Sequence, residues 1–242
     1  MIYIQSNNEK TLPHHFDAAC AMYGAIETGK EYRLTSYDEV ASGKFDSLIR
    51  SNLFVGSVEF MREVFKRIGL NDVRVHENSN RESEIITLKE ALTRAKKGEK
   101  LFIKPLEIKL FTGFVLDNMI YSCIEGLPAD TKVLAYKPFE SELLSEWRIY
   151  IHRGQIVDSR NYSGDFMLSP DYHFAIKEIL RKNEGKFPIA YTIDIGILGE
   201  YKFSENVVVE YNDMWAIGNY GIPNDIYLRL LRDRYFEIIS TK

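Results

Sequence analysis

Cysteine is scarce: the 242-residue chain has two, Cys20 and Cys123, far apart and in no CxxC arrangement. That excludes a secreted disulfide framework or a cysteine-based zinc site and points to a reducing cytoplasm. Positive charge is not in excess. A formal net charge of -4 lacks the broad basic field that neutralises phosphate backbones, so nucleic acid is not expected as the main partner. No run approaches the roughly 18 apolar residues of a membrane helix. The opening MIYIQSNNEK turns polar after four residues, without the apolar stretch of a signal peptide. A soluble cytoplasmic protein with no membrane partner is the expectation. The histidines, His14, His15, His76, His152 and His173, are scattered with no HxxxH spacing, so none is read as a metal ligand or catalytic base. Internal repeats and low-complexity linkers are also lacking.

What is present is ordinary folded protein, 45% hydrophobic and 13% aromatic, at a length that suits one compact enzyme domain with subdomains. The first ninety residues alternate short strand-like and helix-like segments, with strands at 2–5 and 53–55. Val58, Met61, Val64, Phe65 and Ile68 recur at helical spacing and the segment closes at Gly69. Thr87 and Glu90 form a capping box before a second helix whose apolar stripe is Leu88, Ala91, Leu92 and Ala95. Strands follow at 101–104, 114–116 and 132–136. A hairpin around Arg153-Gly154 joins 147–151 to 156–160, and a helix runs from after Pro170 to about 182. A second hairpin joins 189–198 to 206–212 with its turn near Gly199. A last helix from Pro223 to about 238 turns Ile226, Leu230 and Leu231 inward, and its RLLRDRYFE segment reads as a solvated face. The class is α+β, rich in antiparallel hairpins.

The residues that carry chemistry are Asp194, Glu210 and Asn212. Side chains two apart on a strand share a face, so Glu210 and Asn212 in VVVEYND project together. Asp194 lies amid Ile193, Ile195 and Ile197, where burial makes a carboxylate costly unless a cation or hydrogen bonds compensate it. Three oxygen ligands on neighbouring strands suit magnesium. The alternative is a hydrogen-bonded core acid at Asp194 and a solvated strand residue at Glu210.

Four segments together resemble the ATP-grasp superfamily, and within it a clade of small members related to the ribosomal-protein glutamate ligases. They are FIKP at 102–105 with KLFTG at 109–113, SEWRIYIHRGQIVDSR at 145–160, TIDIG at 192–196, and VVVEYNDMWAIGNYG at 207–221. The resemblance implies an ATP-grasp fold of two α+β lobes clasping a nucleotide. It divides the chain into an N-terminal α/β region at 1–70, a small nucleotide-binding lobe at 71–138 and a metal-binding, catalytic lobe at 139–242. It implies ATP and Mg2+ (with Mn2+ as the alternative ion), held by Asp194, Glu210 and Asn212, and Lys104 on the nucleotide phosphates. Glycines are few where the superfamily usually has several: only Gly113 follows, with Lys109 to supply positive charge. The backbone of Ala135, Tyr136 and Lys137 is placed against adenine, and either Glu140 or Glu142 against the ribose.

In the related ligases arginines at the positions of Arg148 and Arg160 face the transferred phosphoryl group or the acyl phosphate, an anion that planar guanidinium groups stabilise. For the two to share a face, the turn at Arg153-Gly154 needs an odd residue count or a bulge. The alternative is surface ion pairing with Glu146 or Asp158. Trp215 and Tyr220 either shape the substrate pocket, as the family pattern suggests, or simply pack.

The function implied is an ATP-dependent carboxylate-amine (or thiol) ligase that forms an acyl phosphate and releases ADP and phosphate. Its partners would be a small-molecule or peptide carboxylate and an amine acceptor. The rival is a nucleotide-binding module, or an inactive relative, acting through protein partners.

Overall fold

The computed structural model describes residues 1–71, 73, 82–106, 110–119, 121–172, 176–182, 185, 187–200 and 203–240. The chain divides into two compact units, one formed by 1–78 with 143–242 and the other by 79–142.

The first unit begins with β1 (Ile2–Gln5), whose residues are all buried, at the centre of a parallel sheet ordered β2-β1-β3. Its neighbours are β2 (Tyr32–Thr35) and β3 (Leu53–Val55). Between them run α1 (Phe16–Glu27), α2 (Tyr37–Ala41) and, after β3, α3 (Val58–Arg67). Ser57 caps α3 by accepting the Phe60 N–H; Met61, Val64 and Phe65 turn inward as the sequence predicts, Val58 and Ile68 are partly buried beside them, and Phe60 is buried as well. Neither α1 nor α2 is singled out by the sequence reading. α2 has a complete capping box between Ser36 and Glu39, and α1 is capped by the His15 ring, which accepts the Ala18 N–H.

Glu39 is tied down from several sides. Its carboxylate accepts from Lys44 Nζ at 2.5 Å, Lys10 Nζ at 2.8 Å and Thr35 Oγ1 at 3.0 Å. Burial alone would raise its pKa, but these partners outweigh it and hold the carboxyl at about 2. A depressed folded-state pKa means stabilisation that is complete above the ordinary carboxylate value and lost as pH falls toward the folded one. The stability gap between the natural chain and Glu39→Gln should therefore be widest at neutral pH and close between about pH 4.5 and 2, read by urea denaturation at each pH.

The same unit contains an antiparallel sheet ordered β11-β10-β8-β9: β8 (Leu143–His152), β9 (Gln155–Gly164), β10 (Ala190–Glu200) and β11 (Phe203–Asp213). Its alternation decides the site. Ile149, Ile151, Ile193 and Ile195 turn to one face and form a core with Ile176 and Tyr211, flanked by α5 (Lys177–Lys182). Arg148, Tyr150, Thr192 and Asp194 must then turn to the other. The helix expected after Pro170 is described from Lys177, with 173–175 outside the described residues, and the turn between β10 and β11 falls on 201–202, also outside them.

The β8–β9 turn has two residues, Arg153 and Gly154, both with positive φ (52° and 74°) as a type I′ hairpin requires. An even turn alone would put Arg148 and Arg160 on opposite faces. A bulge between the Tyr150 and Ile151 pairings shifts the register, and Arg148 pairs directly with Arg160. Arginine is a poor left-handed residue, so Arg153→Asn should raise the unfolding free energy by about 0.5–1 kcal/mol in urea denaturation with an unchanged m value.

The last helix, α6 (Asn224–Ser240), completes the core beneath the parallel sheet. Tyr227, Leu230, Leu231, Tyr235 and Ile238 join Ile2, Ile4, Leu53 and Phe54 in one cluster. At Gly24 of α1 an added Cβ would lie 2.3 Å from the Asn224 carbonyl oxygen, so only glycine permits this crossing. The RLLRDRYFE segment is not simply a solvated face: Tyr235 is buried, and Arg234 grips Asp213 through two hydrogen bonds of 2.7 Å.

The second unit pairs β4 (Ser83–Thr87), β7 (Lys132–Tyr136), β5 (Leu101–Pro105) and β6 (Phe114–Leu116) antiparallel in that order. Its helix α4 (Leu88–Lys96) is capped by Thr87, which takes the Glu90 N–H. Leu88, Ala91 and Ala95 pack on Leu101, Ile103, Leu116, Val133 and Ala135.

Candidate active site

Asp194, in β10, pairs directly with Glu210 of β11, and Thr192 with Asn212. The three polar side chains therefore share one face, and they meet. Asn212 Nδ2 lies 3.2 Å from Asp194 Oδ2 and 3.1 Å from Glu210 Oε1. Asp194 is 1% exposed, while Glu210 and Asn212 are half-buried. On its other side Asp194 pairs with Arg148 of β8. Arg148 Nε and Nη2 donate to its two oxygens at 2.8 and 2.7 Å, a bidentate ion pair with the arginine 5% exposed. The cation expected beside this buried acid is, in the first instance, a guanidinium.

The pair has a second carboxylate beside it, that of Glu210. Burial, the largest influence, and the Glu210 carboxylate together push the Asp194 carboxyl up to about 6, against the lowering effect of Arg148. Arg148 matches the Asp194 carboxylate, and Glu210 sets a second carboxylate beside it, so the cluster is rich in oxygen lone pairs. Two hard carboxylates with an amide that can present oxygen after a half-turn fit magnesium, which takes few protein ligands besides phosphate oxygens. Among the described residues no group of three or more His, Cys, Asp or Glu forms a metal cluster, so this mixed set is not matched by an all-carboxylate one.

Around Arg148 the chain builds an aromatic cage. Its guanidinium lies 4.5 Å from the ring centroid of Tyr220 and 5.7 Å from that of Tyr162, and the two rings stack at 5.1 Å. Tyr162 Oη donates to Glu146 Oε2, and Tyr150 Oη donates to the carbonyls of Gly218 and Asn219. Asp17 of α1 accepts the Asn219 N–H at 2.8 Å, which fixes the 217–221 loop against the first helix. Arg160, opposite Arg148, reaches back to Asp158 at 3.0 Å, and its Nε is buried with no partner among the described residues. Both arginines are ion-paired, Arg148 with Asp194 and Arg160 with Asp158, and Arg160 keeps one buried donor unused by the described residues.

Sequence reasoning missed Tyr162. Its offset of two from Arg160 put it on the same strand face, which was the available signal. It also missed that Arg148 and Asp194 are each other's partners. Trp215 packs against Phe65 in the core, whereas Tyr220 (47% exposed, φ 48°) forms part of the cage.

In the second unit, Lys104 sits on β5 with its Nζ 5.4 Å from the Tyr136 ring centroid. Gly113 approaches this strand so closely that a Cβ would lie 3.2 Å from that of Lys104 and 2.8 Å from the Phe102 ring. The sequence's phosphate-loop glycine and lysine are thus neighbours. Lys109 lies outside the described residues. Ala135 is in the middle of the ladder, paired with Glu84 and Ile103, and Tyr136 is paired with Ser83 and Phe102. Lys137 is the first residue past the strand and makes an exposed ion pair with Glu140 at 2.9 Å. Glu142 is exposed.

The profile of the ATP-grasp domain, R2-K clade family 2, matches residues 79–230, well over half of the chain. The chain belongs to that family. No curated protein matches this ATP-grasp chain in sequence. Among solved structures the fold recurs at low identity. The ATP-grasp ligase PsnB complexed with precursor peptide PsnA2 and AMPPNP is 11% identical with a TM-score of 0.52, over 96% of each chain. N5-carboxyaminoimidazole synthetase from Staphylococcus aureus, complexed with ADP, is 12% identical with a TM-score of 0.52, over 96% of this chain and 76% of that one. D-alanine–D-alanine ligase from Bacillus anthracis is 10% identical with a TM-score of 0.51, over 99% and 97%. The family is the one the four motifs point to, and its fold is the α+β ATP-grasp fold.

Proposed function

We propose that this protein is an ATP-dependent carboxylate-amine (or thiol) ligase that works through an acyl phosphate and releases ADP and phosphate. The observation that carries the reading is the convergence of Asp194, Glu210 and Asn212 on one spot beside Arg148. Solved proteins of the same fold are ligases or synthetases with adenine nucleotides or peptide bound, which supports the class of reaction.

In this reading Asp194, Glu210 and Asn212 would hold magnesium. When bound, the ion would neutralise phosphate charge and orient the γ-phosphoryl group. Lys104, with Lys109 and Gly113, grips the phosphates; the backbone at Ala135, Tyr136 and Lys137 takes adenine. Lys137 is the member of that trio whose backbone lies beyond the ladder. Glu140 or Glu142 holds the ribose. The substrate carboxylate attacks the γ-phosphorus, and Arg148 and Arg160 stabilise the acyl phosphate until an amine expels phosphate. The spare Arg160 Nε donor favours such an anion. No covalent enzyme intermediate is required, because positioning and electrostatics supply most of phosphoryl transfer.

The test is a screen of amino acids and peptides with magnesium-ATP, reading ADP together with a mass-shifted product. Chelating divalent ions should abolish turnover and manganese should restore part of it. Nucleotide binding without turnover on any substrate would favour the binding-module reading instead.

A further inference from the structure

A cavity of about 360 Å³ opens where the starts of β1 and β3 meet one side of α6. That volume is at the low end of the roughly 300–1,000 Å³ typical of small-molecule sites. Its floor is apolar: Ile2, Leu53 and Leu228 are buried there, with Phe236 half-buried beside them. Its rim has one sign of charge in excess, with Lys30, Arg229 and Arg232 against the single acid Asp225.

Two of these three cations have no protein acid to neutralise among the described residues. Arg232 donates to Asp233, whereas Lys30 and Arg229 make no ion pair with the described residues. Arg229 and Arg232 are three apart on α6 and line the same cavity, and like charges at that spacing repel. A ligand anion at the rim would relieve this repulsion, and an apolar body would fill the floor.

The cavity is separate from the cluster at Arg148. It lies by Thr28, the C-terminal cap of α1, whereas Asp17 in the first turn of that helix meets the Asn219 loop. The helix between spans about 18 Å.

We propose that this cavity binds a small amphipathic anion, a compact apolar group bearing one carboxylate or phosphate. The full chain is titrated, in the absence of nucleotide, with phenyl phosphate and phenylacetate. Benzyl alcohol and inorganic phosphate serve as the controls, and binding is followed by calorimetry. Saturable binding is expected for at least one anionic probe, at least tenfold tighter than for either control, and the better of the two identifies the headgroup. Arg229→Glu, at an exposed residue, should weaken it at least tenfold while the melting temperature falls by no more than about 2–4 °C. If that variant folds poorly, Lys30→Glu takes its place, and Ser51→Trp, which fills the mouth, should abolish binding. Equal binding of benzyl alcohol, no saturable binding of any anionic probe, or indifference to charge reversal would overturn the proposal. The readout needs neither ATP nor a ligase substrate, so it stands or falls independently of the catalytic reading.

Discussion

Replacing Arg148 by methionine should remove about 3–5 kcal/mol of unfolding free energy, the usual cost of stranding one partner of a buried ion pair. The reason is local. Asp194 is almost fully buried, both of its oxygens take hydrogen bonds from Arg148, and Glu210 adds negative charge next to it. Without the guanidinium an uncompensated carboxylate remains between Ile193 and Ile195. Urea denaturation followed by circular dichroism measures the loss. Combining Arg148→Met with Asp194→Asn should recover much of it, because the second change removes the stranded charge, and the non-additivity reports the coupling. A loss below about 1 kcal/mol for the single variant would mean that water or another cation serves Asp194 as well as Arg148 does.

Glu210→Ala should separate chemistry from folding. Glu210 is half-buried and shares the Asn212 amide with Asp194, so its removal leaves the hairpin core of Ile193, Ile195 and Val208 intact. Loss of residues that merely support metal ligands commonly costs 10–100-fold, so if Glu210 holds magnesium as proposed, its loss should lower substrate-dependent ADP release by at least about 100-fold. The melting temperature should move by no more than about 2–4 °C. Turnover that survives this change would exclude Glu210 from the metal site and leave Asp194 with Arg148 as a structural pair.

Several features were legible because a single period decides them. Alternation of isoleucine around Asp194 and the two-residue offset of Glu210 and Asn212 fixed which faces they occupy before any pairing was known. The Thr87 cap and the Val58 to Phe65 stripe were equally local. The Arg148–Arg160 pairing was legible only as a condition, since the bulge that satisfies it leaves no residue signature in HRGQIVD. What was hidden depends on long-range choices among equivalent partners. Arg148 could have paired with several acids, and only the β8–β10 register selects Asp194, 46 residues away. Tyr162 and Tyr220 stack because a bulged strand end and a left-handed loop residue bring them together. Helix α1 has a weak polar alternation and a histidine cap, an unusual start signal, which is why it escaped notice.

The discontinuity of the first unit has a consequence for its folding during synthesis. β1 and β3 are made before the helix that packs on them, α6, with the whole 79–142 segment and the second sheet synthesised in between. Nascent β1 and β3 must therefore wait for α6 to cover Ile2, Ile4 and Leu53, while the intervening segment has its own core and can settle first. Damage to α6 would accordingly be felt far away in sequence, as an exposed apolar sheet face prone to aggregation.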